Sequence, residues 1–106
     1  MIINYSSNFN LQSKRYDYVR IAFILNKLNR PVTANTINFY YSQIFPNNFC
    51  NSLRISQVIK AKPNLFKISE TPAGKARQTR TYQFRGSIIL AKSTQRNWEN
   101  RSKTIL

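Results

Sequence analysis

Hydrophobic spacing in this chain changes period once, near Pro63, and that change constrains the fold more than any other feature. Before it, apolar residues recur every three or four positions; after it, they alternate. From Tyr16 to Asn29, YDYVRIAFILNKLN puts Tyr18, Ile21, Ala22, Leu25 and Leu28 on one helical face. Val19 and Phe23 fall on a second face, so the spacing predicts a first helix enclosed on much of its circumference, with Arg20 and Lys27 on the solvent strip. Ser13 is placed to cap its start. Arg30-Pro31 ends it, because proline disfavours the α conformation in the residue before it. Thr33 is the expected N-cap of a second helix, TANTINFYYSQIF, in which Ala34, Ile37, Tyr41 and Ile44 follow the 3.6-residue period with Tyr40 beside them. Asn35, Asn38 and Ser42 form its wet face. Pro46-Asn47-Asn48 breaks that helix, and Asn51 or Ser52 caps a third, SLRISQVIKAK, which stops before Pro63.

Alternation takes over in LFKIS (Leu65 to Ser69), TPAGKA supplies turn residues, and TRTYQFR alternates again. This predicts a β-hairpin with Phe66, Ile68, Tyr82 and Phe84 toward the helices and Lys67, Thr81, Gln83 and Arg85 toward water. Residues 1–13 carry no charge and no sustained periodicity, which reads as an N-terminal arm; 14–87 read as the domain, and 88–106 as a basic C-terminal extension. That extension fits an extra strand followed by a helix, a dimerisation helix, a phosphate-binding arm or a disordered tail equally well.

Charge narrows the function. Seventeen Lys and Arg stand against Asp17, Glu70 and Glu99, a formal +14 on 106 residues, and every segment after residue 13 shares it. Self-repulsion on this scale opposes compaction, and solubility alone asks for a net charge of only about 2 to 8 in a small domain. A polyanionic partner is therefore expected, with counterion release driving the association. The absence of histidine and the single Cys50 leave no zinc site, internal disulfide or Cys-His nucleophile within one chain. Three scattered carboxylates supply no acid/base couple, and no glycine-rich phosphate loop occurs. The expectation is a binding protein rather than an enzyme, with no cofactor and no metal. The longest apolar run, Ile21 to Leu25, is far short of a bilayer span, and no signal-peptide pattern opens the chain. This predicts an intracellular protein of the cytoplasm, the nucleoid or an organelle matrix, with no membrane partner.

Three helices followed by a hairpin resemble the winged-helix variant of the helix-turn-helix superfamily. The stretches that carry the resemblance are YDYVRIAFILNKL, VTANTINFYYSQIF, NSLRISQVIKAKP and LFKISETPAGKARQTRTYQF, and the break PNNFCN between the second and third helices is longer than the tight turn of the simplest members. The resemblance implies an α+β fold: a three-helix winged helix-turn-helix domain with a β-hairpin wing, flanked by the arm and the basic tail. It also implies a third helix in the major groove of DNA and a wing on an adjacent groove. On that third helix Ile55, Val58 and Ile59 cluster on one side, while Ser56, Gln57 and Lys60 project from the other and Arg54 sits on a flank. Gln57 suits a bidentate contact to adenine; Arg54, Lys60 and Lys62 suit phosphates. Leu53, on the outward side, suits a thymine methyl or a cover for the turn. Lys75, Arg77 and Arg80 converge on the hairpin tip, where arginine in a narrow groove is the expected mechanism, and edge-strand protection is the plainer one. Phe39 and Trp98 stand apart from the core pattern as candidates for a partner surface, including a homodimer or larger assembly.

Two functions follow as expectations. The first is a sequence-specific or architectural duplex DNA-binding protein of the kind that regulates transcription. The second is a structural RNA-binding component of a ribonucleoprotein such as a ribosomal protein, which small size, basicity and terminal extensions also suit. An adaptor for a protein partner is a third class, in which the charge serves only solubility.

Overall fold

The structure, a computed structural model, describes residues 2–6, 11, 13–73 and 77–106, the side chains of 71–79 excepted. In chain order it comprises β1 (Ile2–Tyr5), a 3-10 turn (Lys14–Tyr16), α1 (Asp17–Leu28), α2 (Ala34–Ile44), α3 (Ser52–Lys60), β2 (Phe66–Ala73), β3 (Arg77–Phe84), β4 (Ser87–Leu90) and α4 (Lys92–Ser102). The fold is α+β. Among the described residues it has four α-helices where the winged-helix pattern led to three, because the extension forms β4 followed by a helix over residues 92–102 that packs on the core, the strand-then-helix option among those it allowed.

Local chemistry sets the helix ends. The Thr33 side chain accepts a hydrogen bond from the Thr36 N–H at 3.3 Å to open α2, and Asn51 Oδ1 accepts from the Arg54 N–H at 2.8 Å to open α3. Ser13 Oγ accepts from Arg15 N, so it caps the 3-10 turn that leads into α1. At the other end of α1, Asn29 takes a left-handed conformation (φ 51°) and its N–H closes on Leu25 O at 2.9 Å. Asparagine tolerates that region better than most residues, and the helix stops before Pro31 is reached.

Helix α1 is the centre of the molecule. Five consecutive residues, Ile21 to Leu25, are buried, which is possible only if the helix is covered on all sides. Helices α2 and α3 pack on it with Ile37, Tyr41, Ile44, Ile55 and Ile59 fully enclosed. The hairpin β2–β3 is antiparallel, with Phe66 opposite Phe84 and Ile68 opposite Tyr82. Phe66 and Tyr82 are buried as the alternation predicts, but Ile68 lies 38% exposed, beyond the reach of the helices. The segment between α1 and α2 adds one antiparallel bridge to the hairpin: Val32 and Tyr82 exchange both backbone hydrogen bonds, at 3.1 and 2.7 Å.

The two ends of the chain meet. Ile2–Tyr5, part of the stretch that reads as an arm, is a strand paired in parallel with Ser87–Leu90, so that Ile3 and Leu90 are buried. Pairing partners over eighty residues apart leave no local periodicity signal, and a four-residue strand is too short to show alternation. Trp98, expected at a partner surface, is 4% exposed, its ring edge-on to Phe23 (5.4 Å) and Phe45 (4.9 Å). It is the apolar anchor of an otherwise polar helix, and one tryptophan in eleven residues gives no periodic stripe.

Arg20 is the largest correction. Placed by spacing on the solvent strip of α1, it is 1% exposed. Its Nε donates to Tyr41 Oη (2.8 Å), and its Nη2 donates to Asp17 Oδ1 (2.7 Å) and Ser13 O (2.7 Å), with Nη1 on Leu11 O. Tyr41 Oη in turn donates to Asp17 Oδ1 at 2.7 Å, and Arg54 Nε reaches Asp17 Oδ2 at 3.3 Å. Burial and the bond to Asp17 push the Tyr41 hydroxyl well above its ordinary pKa, so it stays a donor. One carboxylate thus ties α1, α2 and α3 together, and Arg20 ties the entering chain to them.

Removing one partner from a buried charge network leaves the others unpaired, at a cost of about 3 to 5 kcal/mol. Asp17→Ala is expected to lose stability on that scale in urea unfolding, and Arg20→Met to lose less, because Asp17 keeps Tyr41 and Arg54. Burial, with Asp17 nearby, also pushes the Cys50 thiol up to about 11. Its protonated form is the one the fold favours, so its contribution to stability is intact below about pH 9 and declines as pH rises toward 11. Alkylation by iodoacetamide at pH 8 is expected to run at least about tenfold slower in the folded than in the urea-unfolded chain.

Candidate nucleic-acid interface

The outward face of α3 is where the predicted residues can be compared with their surroundings. Ile55 and Ile59 are buried against α1 and α2, which turns Leu53, Arg54, Gln57 and Lys60 to the surface. Leu53 is 66% exposed. The side chains of Gln57 and Lys60 have no hydrogen-bond or ion-pair partner among the described residues. Ser56 departs from the expectation. Its hydroxyl lies 3.2 Å from Tyr82 Oη and is partly buried between α3 and β3, so it links helix to hairpin instead of facing outward. A helix turns 100° per residue, and Ser56 falls on the flank that the hairpin covers, a neighbour invisible to spacing alone.

Arg54 is held from below. Its Nε is bonded to the buried Asp17, while the side chain as a whole is 45% exposed. This leaves the remaining guanidinium edge available in a fixed orientation, the geometry in which arginine binds phosphate best. Across from it lie Lys14 and Arg15 of the 3-10 turn, and Lys62 follows α3. These four cations and Gln57 line a groove of about 190 Å³ between the start of α1 and α3. Lys62 Nζ stands 4.4 Å from the centroid of the Tyr18 ring, a cation-π contact that holds it against this wall.

Lys14 and Arg15 were not singled out by the sequence pattern. Their adjacency in front of helix 1 is visible, but only the packing of α1 on α3 brings them beside Arg54 and Lys62. Asp17 is the one carboxylate among the described residues that line this groove. Asp17 is buried beneath it, Glu70 accepts from Arg80 at 2.8 Å, and Glu99 pairs with Lys27 between α4 and α1.

The predicted wing cations are distributed differently. Lys75 lies outside the described residues, and of Arg77 only the backbone, opposite Ala73 in β3, is described. Arg80 pairs with Glu70 across the hairpin, both side chains being largely exposed. An exposed pair of this kind contributes little and yields readily to a competing phosphate. Phe39 is 58% exposed on α2 and remains on the surface as its spacing indicates. Among the described residues no cluster of His, Cys, Asp or Glu is arranged to hold a metal ion, and no helix is long and apolar enough to cross a membrane.

No protein-family model, curated protein or solved structure matches the chain.

If the Asp17 bond fixes Arg54, then Arg54→Lys should disturb the surface more than the loss of one hydrogen bond suggests, since an ammonium cannot serve Asp17 and an external anion in one plane. Chloride or inorganic phosphate titrations followed by amide resonances of residues 52–62 are expected to show shifts clustered at Arg54 and Lys62 in the parent chain and weakened at both in the variant.

Proposed function

We propose that this chain is a winged-helix nucleic-acid-binding protein that docks α3 on duplex DNA, with the start of α1 and the residue after α3 clamping the backbone on one side. The observation that carries the reading is the exposed face of α3. The side chains of Gln57 and Lys60 are unpartnered among the described residues, Gln57 shares one groove with four cations, and the carboxylate that lines that groove, Asp17, is buried. Two features of the fold support the winged-helix assignment. The element order from α1 to β3 follows that superfamily, and the Val32–Tyr82 bridge attaches the α1–α2 connection to the hairpin as a short third strand. Leu53 on the same surface suits a thymine methyl, and Gln57 an adenine edge.

A second reading, a structural role inside a folded RNA, draws on a separate observation. Lys92, Arg96 and Lys103 are exposed on or just after α4, and Lys67 and Arg85 are exposed along the hairpin. Cations in all these places suit a protein enveloped by a polyanion on several sides. In that case α4 joins the interface; in the first reading it does not.

Competitive binding to a randomised duplex DNA pool and to structured RNA, from about 50 to 200 mM salt, separates the two. With Lys14, Arg15, Arg54, Lys60 and Lys62 each on a phosphate, duplex affinity should fall by roughly five-hundredfold over that range. Lys60→Gln should weaken all sequences alike and reduce the salt slope by about one, whereas Gln57→Ala should relax preference at one base pair by about 1 to 3 kcal/mol. Equal losses from both substitutions on every sequence overturn base reading by α3. A loss caused by Arg96→Gln and Lys103→Gln on RNA, with none on DNA, favours the ribonucleoprotein role.

A further inference from the structure

Beside the basic groove lies a larger cavity, of about 470 Å³, between β1 and the turn that joins α3 to β2. Its size falls in the range of roughly 300 to 1,000 Å³ typical of small-ligand sites. The two share a wall, because Tyr18, Ala61 and Lys62 line both. We propose that the cavity receives one unpaired nucleotide, its base against Tyr18 and its phosphate held by Lys62 and the cations of the adjoining groove. This rests on the nucleic-acid reading above and adds to it: a duplex keeps its bases stacked inside, so a base in this cavity belongs to a bulge, a loop or a strand end.

Three observations select a nucleotide. The first is the wall formed by β1. Ile3 points into the core and Ile2 and Asn4 point outward, yet all three line the cavity, and no residue of β4 does. Successive side chains of a strand face opposite ways, so what borders the cavity is the backbone edge of β1 away from β4. That edge carries backbone N–H and C=O groups, with which the edge of a base can pair. A purely apolar occupant would cover such groups without satisfying them.

The second is the Tyr18 ring. Its hydroxyl is hydrogen-bonded to that of Tyr5, which anchors the outer end of the ring, and its face carries the Lys62 ammonium at 4.4 Å. A phosphate engaging Lys62 draws the ammonium off the ring and leaves an aromatic face for a base, so phosphate capture and stacking are coupled. The third is charge. Past Lys62, which lines both, the cavity adjoins the groove of Arg54, Lys14 and Arg15, which suits a chain that carries a phosphate beside the inserted base. An extended peptide pairing with β1 is the occupant this charge disfavours.

The test uses the full chain and hairpin duplexes with a single bulged 2-aminopurine, made as RNA and as DNA, alongside the same hairpins fully paired. At least one bulged hairpin is expected to bind about fivefold or more tighter than its paired counterpart, with 2-aminopurine emission quenched on binding. Whether RNA, DNA or both show the gain identifies the source of the nucleotide. Tyr18→Leu removes the stacking face, and Ala61→Trp, at an exposed position at the end of α3, fills the cavity without touching the core. Both are expected to bind bulged and paired hairpins equally. Equal binding by the parent chain, unquenched emission, or a bulge preference that survives both variants overturns the proposal. So does an extended peptide that shifts the amide resonances of Ile2 to Asn4 when the bulged hairpins do not. Binding of the paired hairpin with no gain from the bulge removes only the nucleotide site; failure of every oligonucleotide to bind at about 50 mM salt removes the nucleic-acid reading as well.

Discussion

A single buried carboxylate organises this protein. Asp17, at the first position of α1, receives Arg20 from its own helix, the Tyr41 hydroxyl from α2 and Arg54 from α3. Low local polarity strengthens each of these bonds and raises the cost of losing any one, so the three helices are held in a unique arrangement and not merely pressed together. Whether such a network adds net stability over an apolar replacement is decided by desolvation, which is large for buried ions. What the network does geometrically is join segments: Arg20 has enough donors to bind the Leu11 and Ser13 carbonyls as well, and so ties the chain entering α1 to the helices.

That arrangement builds the basic surface. Helix α3 meets the start of α1 because Arg54 reaches Asp17, and the same meeting sets Lys14 and Arg15 across a groove from Arg54 and Lys62. All three acidic side chains of the protein are engaged by cations of the chain itself: Asp17 inside, Glu70 on the hairpin and Glu99 against α1. Most of the Lys and Arg side chains are left without an acidic partner, since three carboxylates stand against seventeen cations. On the function proposed above, phosphate would take over the screening that acidic side chains otherwise provide.

How far the sequence is legible depends on whether a feature has a local cause. The caps at Thr33 and Asn51, the inward faces of α2 and α3, and the alternation that puts Phe66 and Tyr82 inside all follow from residues within a turn or two of one another. Arg20 and Trp98 were misplaced for the opposite reason. A charge on a helix face reads as exposed unless its partners are known, and here they come from residues 11, 13, 17 and 41. A lone tryptophan among polar residues reads as surface until Phe23 and Phe45 are seen to enclose it.

The amino-acid order by itself determined the three central helices, the hairpin, the cationic character and the outward placing of Gln57 and Lys60, because periodicity, capping and charge are properties of neighbouring residues. Tertiary structure alone decided the rest. It paired Ile2–Tyr5 with Ser87–Leu90, turned Ser56 toward Tyr82, drew Arg20 inside and assembled the groove from the start of α1 and the end of α3. Each of these depends on a residue far along the chain, for Arg20 on Tyr41 of α2. Loop closure makes such contacts favourable only once the core around α1 has already formed, so no window of the sequence contains them.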